Sequence, residues 1–548
     1  MKITIVGGGL AGALSSCFLA KEFPDATVEM IHSEKVGIIG VGESITPHLP
    51  GLLGGLGVDE KRFMRETGAV FKYGNNMEDW TDTADGPDVL RMFHWSNGLD
   101  KDFTWKNITS TFPNEIKTTD VWLDVYRNGN APDLNVYHHN AEGYQYCKNN
   151  KMPFDDDGNY LLPATATYAY HIDAEKTSPW IRENVCKPYG VVETIAHVKK
   201  VNTSNEGIKS VILEDGREVT SDIWVDCTGL SRVLISELTD EMHTYQANKV
   251  NSAWVCPIEY EDKETEQVNY TRSIRRDMGW QFSIALTNRI GTGLVYSDEY
   301  FTDEEALEYW HSIIKGRQIR EPRKLKWKPG RLKTPNVGNT FAVGMAAGFI
   351  DPLEANAVVS SISCMKRLAW MLQRNLDKDY YNRKVTYYFD DIADFTAVHY
   401  TLSRRGNNHF WQDMRRIGKE LDHTGLVKKK YYEQANCMDS VMGYVTAFPD
   451  VNWLDIANNW VQDLDDWPSK STPEQQAAYI RRVRNEKLLH KIQSTNNKKS
   501  IDEFLKMYNN VEEYDKGLHK WPIDYFSKMF GSEYVNRHKT NSIKRSTF

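Results

Sequence analysis

Long hydrophobic runs are missing from this chain. No stretch of 18 apolar residues occurs in its 548 and the mean hydropathy is −0.57, so nothing reads as a membrane span. Cysteine is sparse too: seven, an odd number, scattered at 17, 147, 186, 227, 256, 364 and 437 and never as CxxC. That usage argues against a disulfide framework and a metal site, and for a reducing, cytoplasmic setting. Positive charge is not in excess. Asp and Glu (75) outnumber Lys and Arg (67) for a net charge of −8, so no surface advertises for nucleic acid. The Arg481-Arg482-Val483-Arg484 run and the tail from Arg537 to Arg545 read as a solvated helix face and a loose end. Internal repeats and low-complexity tracts are also missing. Aromatic residues, by contrast, make up 12% of the chain, enough for a core or an aromatic-lined pocket.

What is present begins at residue 2. A β-branched strand, Ile3 to Val6, runs into Gly7-x-Gly9-x-x-Gly12, and an apolar helical pattern follows from Leu14 to Glu22. In a dinucleotide-binding βαβ unit the first Gly makes the tight turn and the second admits the pyrophosphate. The third lets helix and strand pack closely, with the phosphates on the helix N-terminus. So early a start is expected to leave no room for a signal peptide. The second strand, Thr27 to Ile31, ends in His32-Ser33-Glu34. An acid is expected near its end to hold the ribose, and Glu34 is the candidate, although His32 occupies the expected position.

At this length the chain should hold two or more lobes. Three separated pieces look like one nucleotide-binding lobe: residues 1 to about 80, about 160 to 235, and about 335 to 375. The second contains the buried strand Asp222 to Cys227 closing on Thr228-Gly229. The third contains Thr340 to Val343, a glycine-rich turn, and a helix expected over Ala355 to Leu372. Between them, Ala253–Tyr260, Gly279–Leu286 and Gly293–Tyr296 alternate as antiparallel strands. Past 375 the pattern is mainly helical, as in Gln475–Gln493 and Ile501–Tyr508.

The segment Gly344-Met345-Ala346-Ala347-Gly348-Phe349-Ile350-Asp351-Pro352-Leu353-Glu354-Ala355 resembles the flavin-contacting signature of the flavin-dependent halogenases, the group that includes the tryptophan halogenases. Gly7 to Gly12 is similar to that family's N-terminal glycine motif. Gly40-Val41-Gly42-Glu43-Ser44-Ile45-Thr46-Pro47 resembles its flavin strap, Phe71-Lys72 the position of its lysine, and Tyr170-His171-Ile172-Asp173-Ala174 another recurring string. Trp280-Gln281-Phe282-Ser283-Ile284-Ala285 looks like an eroded WxWxIP motif. Ala13 stands where tryptophan-active members usually carry Trp. The likeness covers residues 1 to 375 well and the rest poorly, as in a divergent member.

The resemblance implies an α/β fold: a Rossmann-like, discontinuous FAD-binding lobe over 1–375, an inserted antiparallel sheet at about 236–334, and a helical substrate lobe over 376–548. It implies FAD, used as FADH2, held by Gly7, Gly9, Leu10, Ala11, Gly12, Glu34, Gly42, Glu43, Ser44, Gly344, Gly348 and Pro352. A halide ion would sit on the amides of Asn356 and Ala357 at a helix start. Oxidised to hypohalous acid at the flavin, it would travel along an internal passage to Lys72, which polarises it or forms a haloamine, with Glu354 nearby as an acceptor that stabilises the cationic ring intermediate or removes its proton. His94, Trp95, Trp280 and Phe282 would face an aromatic substrate, and His171 would be structural. No second glycine motif for NADPH is evident, so a separate flavin reductase is the implied partner. A homo-oligomer stays open. Two rival readings remain: a flavin monooxygenase hydroxylating an aromatic, favoured by the eroded WxWxIP, and a non-catalytic flavin-binding protein.

Overall fold

The computed structural model describes residues 1–37, 40–80, 89–92, 124–125, 168–436 and 471–483. One six-stranded sheet draws on three separated stretches of chain, in the order Asn336–Val337, Thr340–Ala342, Ile223–Asp226, Lys2–Val6, Thr27–His32, Val192–Ile195. All pairings are parallel except the hairpin of the first two strands. Its central strand is buried from Ile3 to Val6, which is why it reads as a continuous apolar run rather than an alternation. The helix Leu10–Glu22 is buried from Gly12 to Ala20, because the helix Asn356–Arg374 packs over it. It begins at Leu10 rather than the expected Leu14.

A second sheet of seven strands runs Arg323–Lys326, Ser252–Ile258, Ile290–Tyr296, Gly279–Ala285, Thr271–Arg276, Gly74–Glu78, Val89–Met92. It contains the three strands expected between 253 and 296, but it is not confined to that insert and is not wholly antiparallel. Gly74–Glu78, from the first stretch, pairs with Thr271–Arg276 in parallel. That strand reads Gly-Asn-Asn-Met-Glu, with too few apolar residues to show a period of two.

A third, small sheet joins Glu43–Ser44, Ala169–Ile172 and Val70–Lys72. Ser44 lies opposite His171, and Lys72 opposite Ala169. The strap and the lysine strand therefore flank Ala169–Ile172 on either side. Beyond residue 375 the described chain is helical: Lys378–Thr401, His409–Glu420, His423–Asn436 and Pro473–Val483. The last overlaps the helix expected over Gln475–Gln493 and starts two residues earlier, while Ile501–Tyr508 falls outside the described residues. Among those described, no helix is long and apolar enough to cross a membrane.

Candidate active site

A cavity of about 820 Å³ opens at the carboxyl ends of the central strands, lined there by Val6, Ile31, Cys227 and Val343. This is the edge at which open α/β sheets take ligands. The glycine loop forms one wall. Gly7 has φ +122°, and a Cβ on it would lie 2.3 Å from the Cys227 oxygen. A Cβ on Gly12 would lie 1.8 Å from the Gly7 oxygen, whereas one on Gly9 would meet nothing within 4 Å. Two glycines are thus required by packing, and the middle one leaves bare backbone. With Gly9, Leu10 and Ala11 on the cavity and no acid in the first helical turn, the loop fits a dinucleotide's pyrophosphate.

At the ribose end Glu34 is exposed and lines the cavity. His32 lines the cavity too, its ring held on Glu193 of the neighbouring strand (Nε2 to Oε1, 2.7 Å), and Arg182 joins the same carboxylate at 3.0 Å while donating to the Gly8 carbonyl at 2.7 Å. Glu193 had no signal in the sequence, since it meets His32 only through strand pairing.

Val41, Gly42, Glu43 and Ser44 of the strap line the cavity. Arg289 holds this segment down: Nη1 donates to the Val41 carbonyl at 2.5 Å and Nη2 to Asp173 Oδ2 at 2.9 Å, a buried ion pair. Burial pushes the Glu43 carboxyl up to about 7.

Lys72 is fully buried. Its Nζ donates to Ser44 Oγ at 2.6 Å and to the Ile45 carbonyl at 3.1 Å. Three residues past its strand, Asn75 donates Nδ2 to Glu354 Oε2 at 2.9 Å, and His399 Nε2 stands 3.8 Å from Glu354 Oε1. Asn75 and His399 escaped sequence reading because their partner lies elsewhere in the chain. Beneath Glu354, Asp351 accepts from Tyr400 Oη at 2.6 Å and from the Leu353 amide at 2.9 Å, and burial raises its carboxyl to about 6.

Glu354 and Ala355 both adopt left-handed backbone (φ +67°, ψ 19° and φ +58°, ψ 40°), so the helix starts at Asn356 and not at Ala355. Asn356 and Ala357, the first residues of the helix, whose amides have no intrahelical acceptor, line the cavity. Pro352 lines the cavity as well. Gly344 and Gly348 instead pack against Ser361 and Arg331, leaving Met345 and Phe349 at the wall. On the opposite side Trp280, Phe282 and Ile284, alternate residues of one strand, present a single face to the cavity, with the first two rings 6.1 Å apart. His94 and Trp95 lie outside the described residues.

The α/β frame with its dinucleotide crevice is the fold of the flavin-dependent halogenases. The family model for tryptophan halogenases matches residues 2–458, and the chain belongs to that family. It is an enzyme that uses flavin and halide to halogenate an aromatic substrate. Among relatives, the tryptophan 7-halogenase RebH of Lentzea aerocolonigenes is 26% identical over 77% of this chain and 79% of its own. The tryptophan 6-halogenase ThaL of Streptomyces albogriseolus is 27% identical over 78% and 80%. Solved structures share the fold. A tryptophan halogenase from Shewanella frigidimarina superposes with a TM-score of 0.78 at 23% identity, covering 93% of this chain and 98% of that one. A flavin-dependent halogenase from Xanthomonas campestris gives 0.76 at 23%, covering 92% and 98%.

Proposed function

We propose that this enzyme is an FADH2-dependent halogenase that passes electrophilic halogen by way of Lys72 to an aromatic or heteroaromatic small molecule. One observation carries the reading: an ammonium wholly removed from solvent and bonded to the strap hydroxyl of Ser44, whose side chain borders the cavity. When bound, reduced FAD with dioxygen supplies the oxidant that converts halide to hypohalous acid. The amides of Asn356 and Ala357 hold the halide. Lys72 donates a hydrogen bond to the oxygen of hypohalous acid and polarises the O–X bond; as the neutral amine it would carry the halogen itself. The ring carbon takes the halogen as the O–X bond breaks, the departing hydroxide takes a proton from the Lys72 ammonium and leaves as water, and Glu354 accepts the ring proton, which then restores the ammonium. Trp280 and Phe282 keep the ring away from the flavin, and His94 and Trp95 contact the substrate.

Reduced FAD comes from a separate flavin reductase acting as a diffusive donor. A cytoplasmic location agrees with the five described cysteines, all buried and all free thiols. RebH and ThaL are tryptophan halogenases; for this enzyme the proposed substrates are indoles and phenols. The test is a mass-spectrometric screen of such rings with FAD, a flavin reductase, NADH and oxygen. Chloride, bromide and iodide are tried in turn, with Lys72→Ala beside the parent. A halogen mass shift that falls by roughly 10²–10⁴-fold in the variant is the expected result. A gain of one oxygen indifferent to halide would overturn it in favour of the monooxygenase.

A further inference from the structure

Lys72 sits at one end of a hydrogen-bond chain in which every proton has a single direction. The Ala285 carbonyl, 3.0 Å from His171 Nδ1, only accepts, so Nδ1 carries the proton and Nε2 is a lone pair. Nε2 lies 2.9 Å from Thr271 Oγ1, which must donate to it. Thr271 Oγ1 in turn takes the proton of Ser44 Oγ at 2.7 Å, and Ser44 Oγ, its own proton spent, accepts from Lys72 Nζ at 2.6 Å. A protonated His171 would donate from Nε2 and release the Thr271 proton, so Ser44 would no longer have to spend its own proton on Thr271. Only the neutral Nδ1–H imidazole obliges the Ser44 oxygen to face Lys72 as an acceptor alone. His171 is fully buried, and its pKa is lowered to about 3, first by burial and then by the charge of Lys72.

The members come from different elements. Ser44 is on the strap, Lys72 and His171 are on the other two strands of the small sheet, and Thr271 opens a strand of the large one. Ala285 ends the strand that carries Trp280 and Phe282. The strap, the lysine and the wall facing it are thus locked in one register by four hydrogen bonds.

We infer that His171 and Thr271 are positioning residues, which fix the Ser44 hydroxyl as an obligate acceptor and thereby aim the Lys72 ammonium. This rests on the reading of Lys72 as the residue that hands on halogen. The sequence alone reads His171 as structural; its place in the chain gives it a direction as well as a packing role.

Two measurements test it. In the apoprotein labelled with ¹⁵N-histidine, and assigned by difference with His171→Asn, His171 should show the neutral Nδ1–H tautomer from mildly acid to mildly alkaline solution. An imidazolium or an Nε2–H signal would overturn the chain. In turnover with FADH2 and bromide, indole serves as acceptor ring and monochlorodimedone as trap for free hypobromous acid. Thr271→Val, nearly isosteric, and His171→Asn, which keeps a donor for Ala285 and removes the acceptor for Thr271, should lose bromoindole by up to about 100-fold. Trapped hypobromous acid should rise while FAD affinity is unchanged, and Thr271→Ser should restore coupling. Parental coupling in both variants, beside an inactive Lys72→Ala, would sink the positioning role alone. Parental activity in Lys72→Ala would sink the underlying reading instead.

Discussion

At the scale of single residues, the costliest backbone lies beside Glu354. Left-handed geometry costs an ordinary L-residue roughly 1–2 kcal/mol, and two consecutive residues, Glu354 and Ala355, adopt it. Ala355 brings no side chain that needs the strain, so Ala355→Gly should relieve it. After about 0.5–1 kcal/mol is given back to the greater freedom of glycine in the unfolded chain, a net gain of about 0.5–1 kcal/mol is expected in denaturant unfolding. A loss of stability would show that the position is not strained. None of this was visible in Pro-Leu-Glu-Ala, which reads as an ordinary helix start, because Glu and Ala seldom turn left-handed. Lys72 could be singled out only through family resemblance. Its hydrogen-bond chain, like the pairing of Asn75 with Glu354, links residues that proximity along the chain does not connect.

At the scale of elements, strands and helices with a clear period were legible, and those made by pairing were not. The glycine loop, the central strands and the three strands between 253 and 296 announced themselves. The strap strand Glu43–Ser44 did not, since two residues carry no period and exist as a strand only against Ile172 and His171. Its anchorage was equally hidden: Arg289, 248 residues from Val41, holds the strap to Asp173. Removing one member leaves the other charge buried alone. Arg289→Ala should therefore cost about 3–5 kcal/mol in chemical denaturation. A loss below about 1 kcal/mol, no more than an exposed pair contributes, would mean the pair does not fasten the strap.

At the scale of the whole molecule, buried titrating groups pull stability in opposite directions. Glu43 and Asp351 have folded values raised by burial to about 7 and about 6. The folded protein keeps protons that the unfolded chain has lost, so their contribution is full in acid and fades as pH rises towards 7. His171, lowered to about 3 from its ordinary 6.5, does the reverse: its contribution is full above 6.5 and is lost as pH falls. Glu43→Gln removes the first kind of group. In thermal unfolding of the apoprotein, its advantage over the parent should therefore grow between pH 4.5, the ordinary glutamate value, and about 7, then level off. An advantage that shrinks with rising pH, or does not change, would refute the burial of that carboxyl.

The long-range sheet also sets a timetable for synthesis. Glu78 waits for Arg272, 194 residues later, and Asn75 waits for Glu354, 279 residues later. At ribosomal speed the second delay is on the order of 15–60 s. Until Thr271–Arg276 is made, the strand Gly74–Glu78 has only Val89–Met92 beside it, and its other edge stays unpaired. A nascent chain released early would expose unpaired strand edges to aggregation and hold no cofactor. The enzyme's yield in a cell thus depends on shelter during translation as well as on the stability of the finished fold.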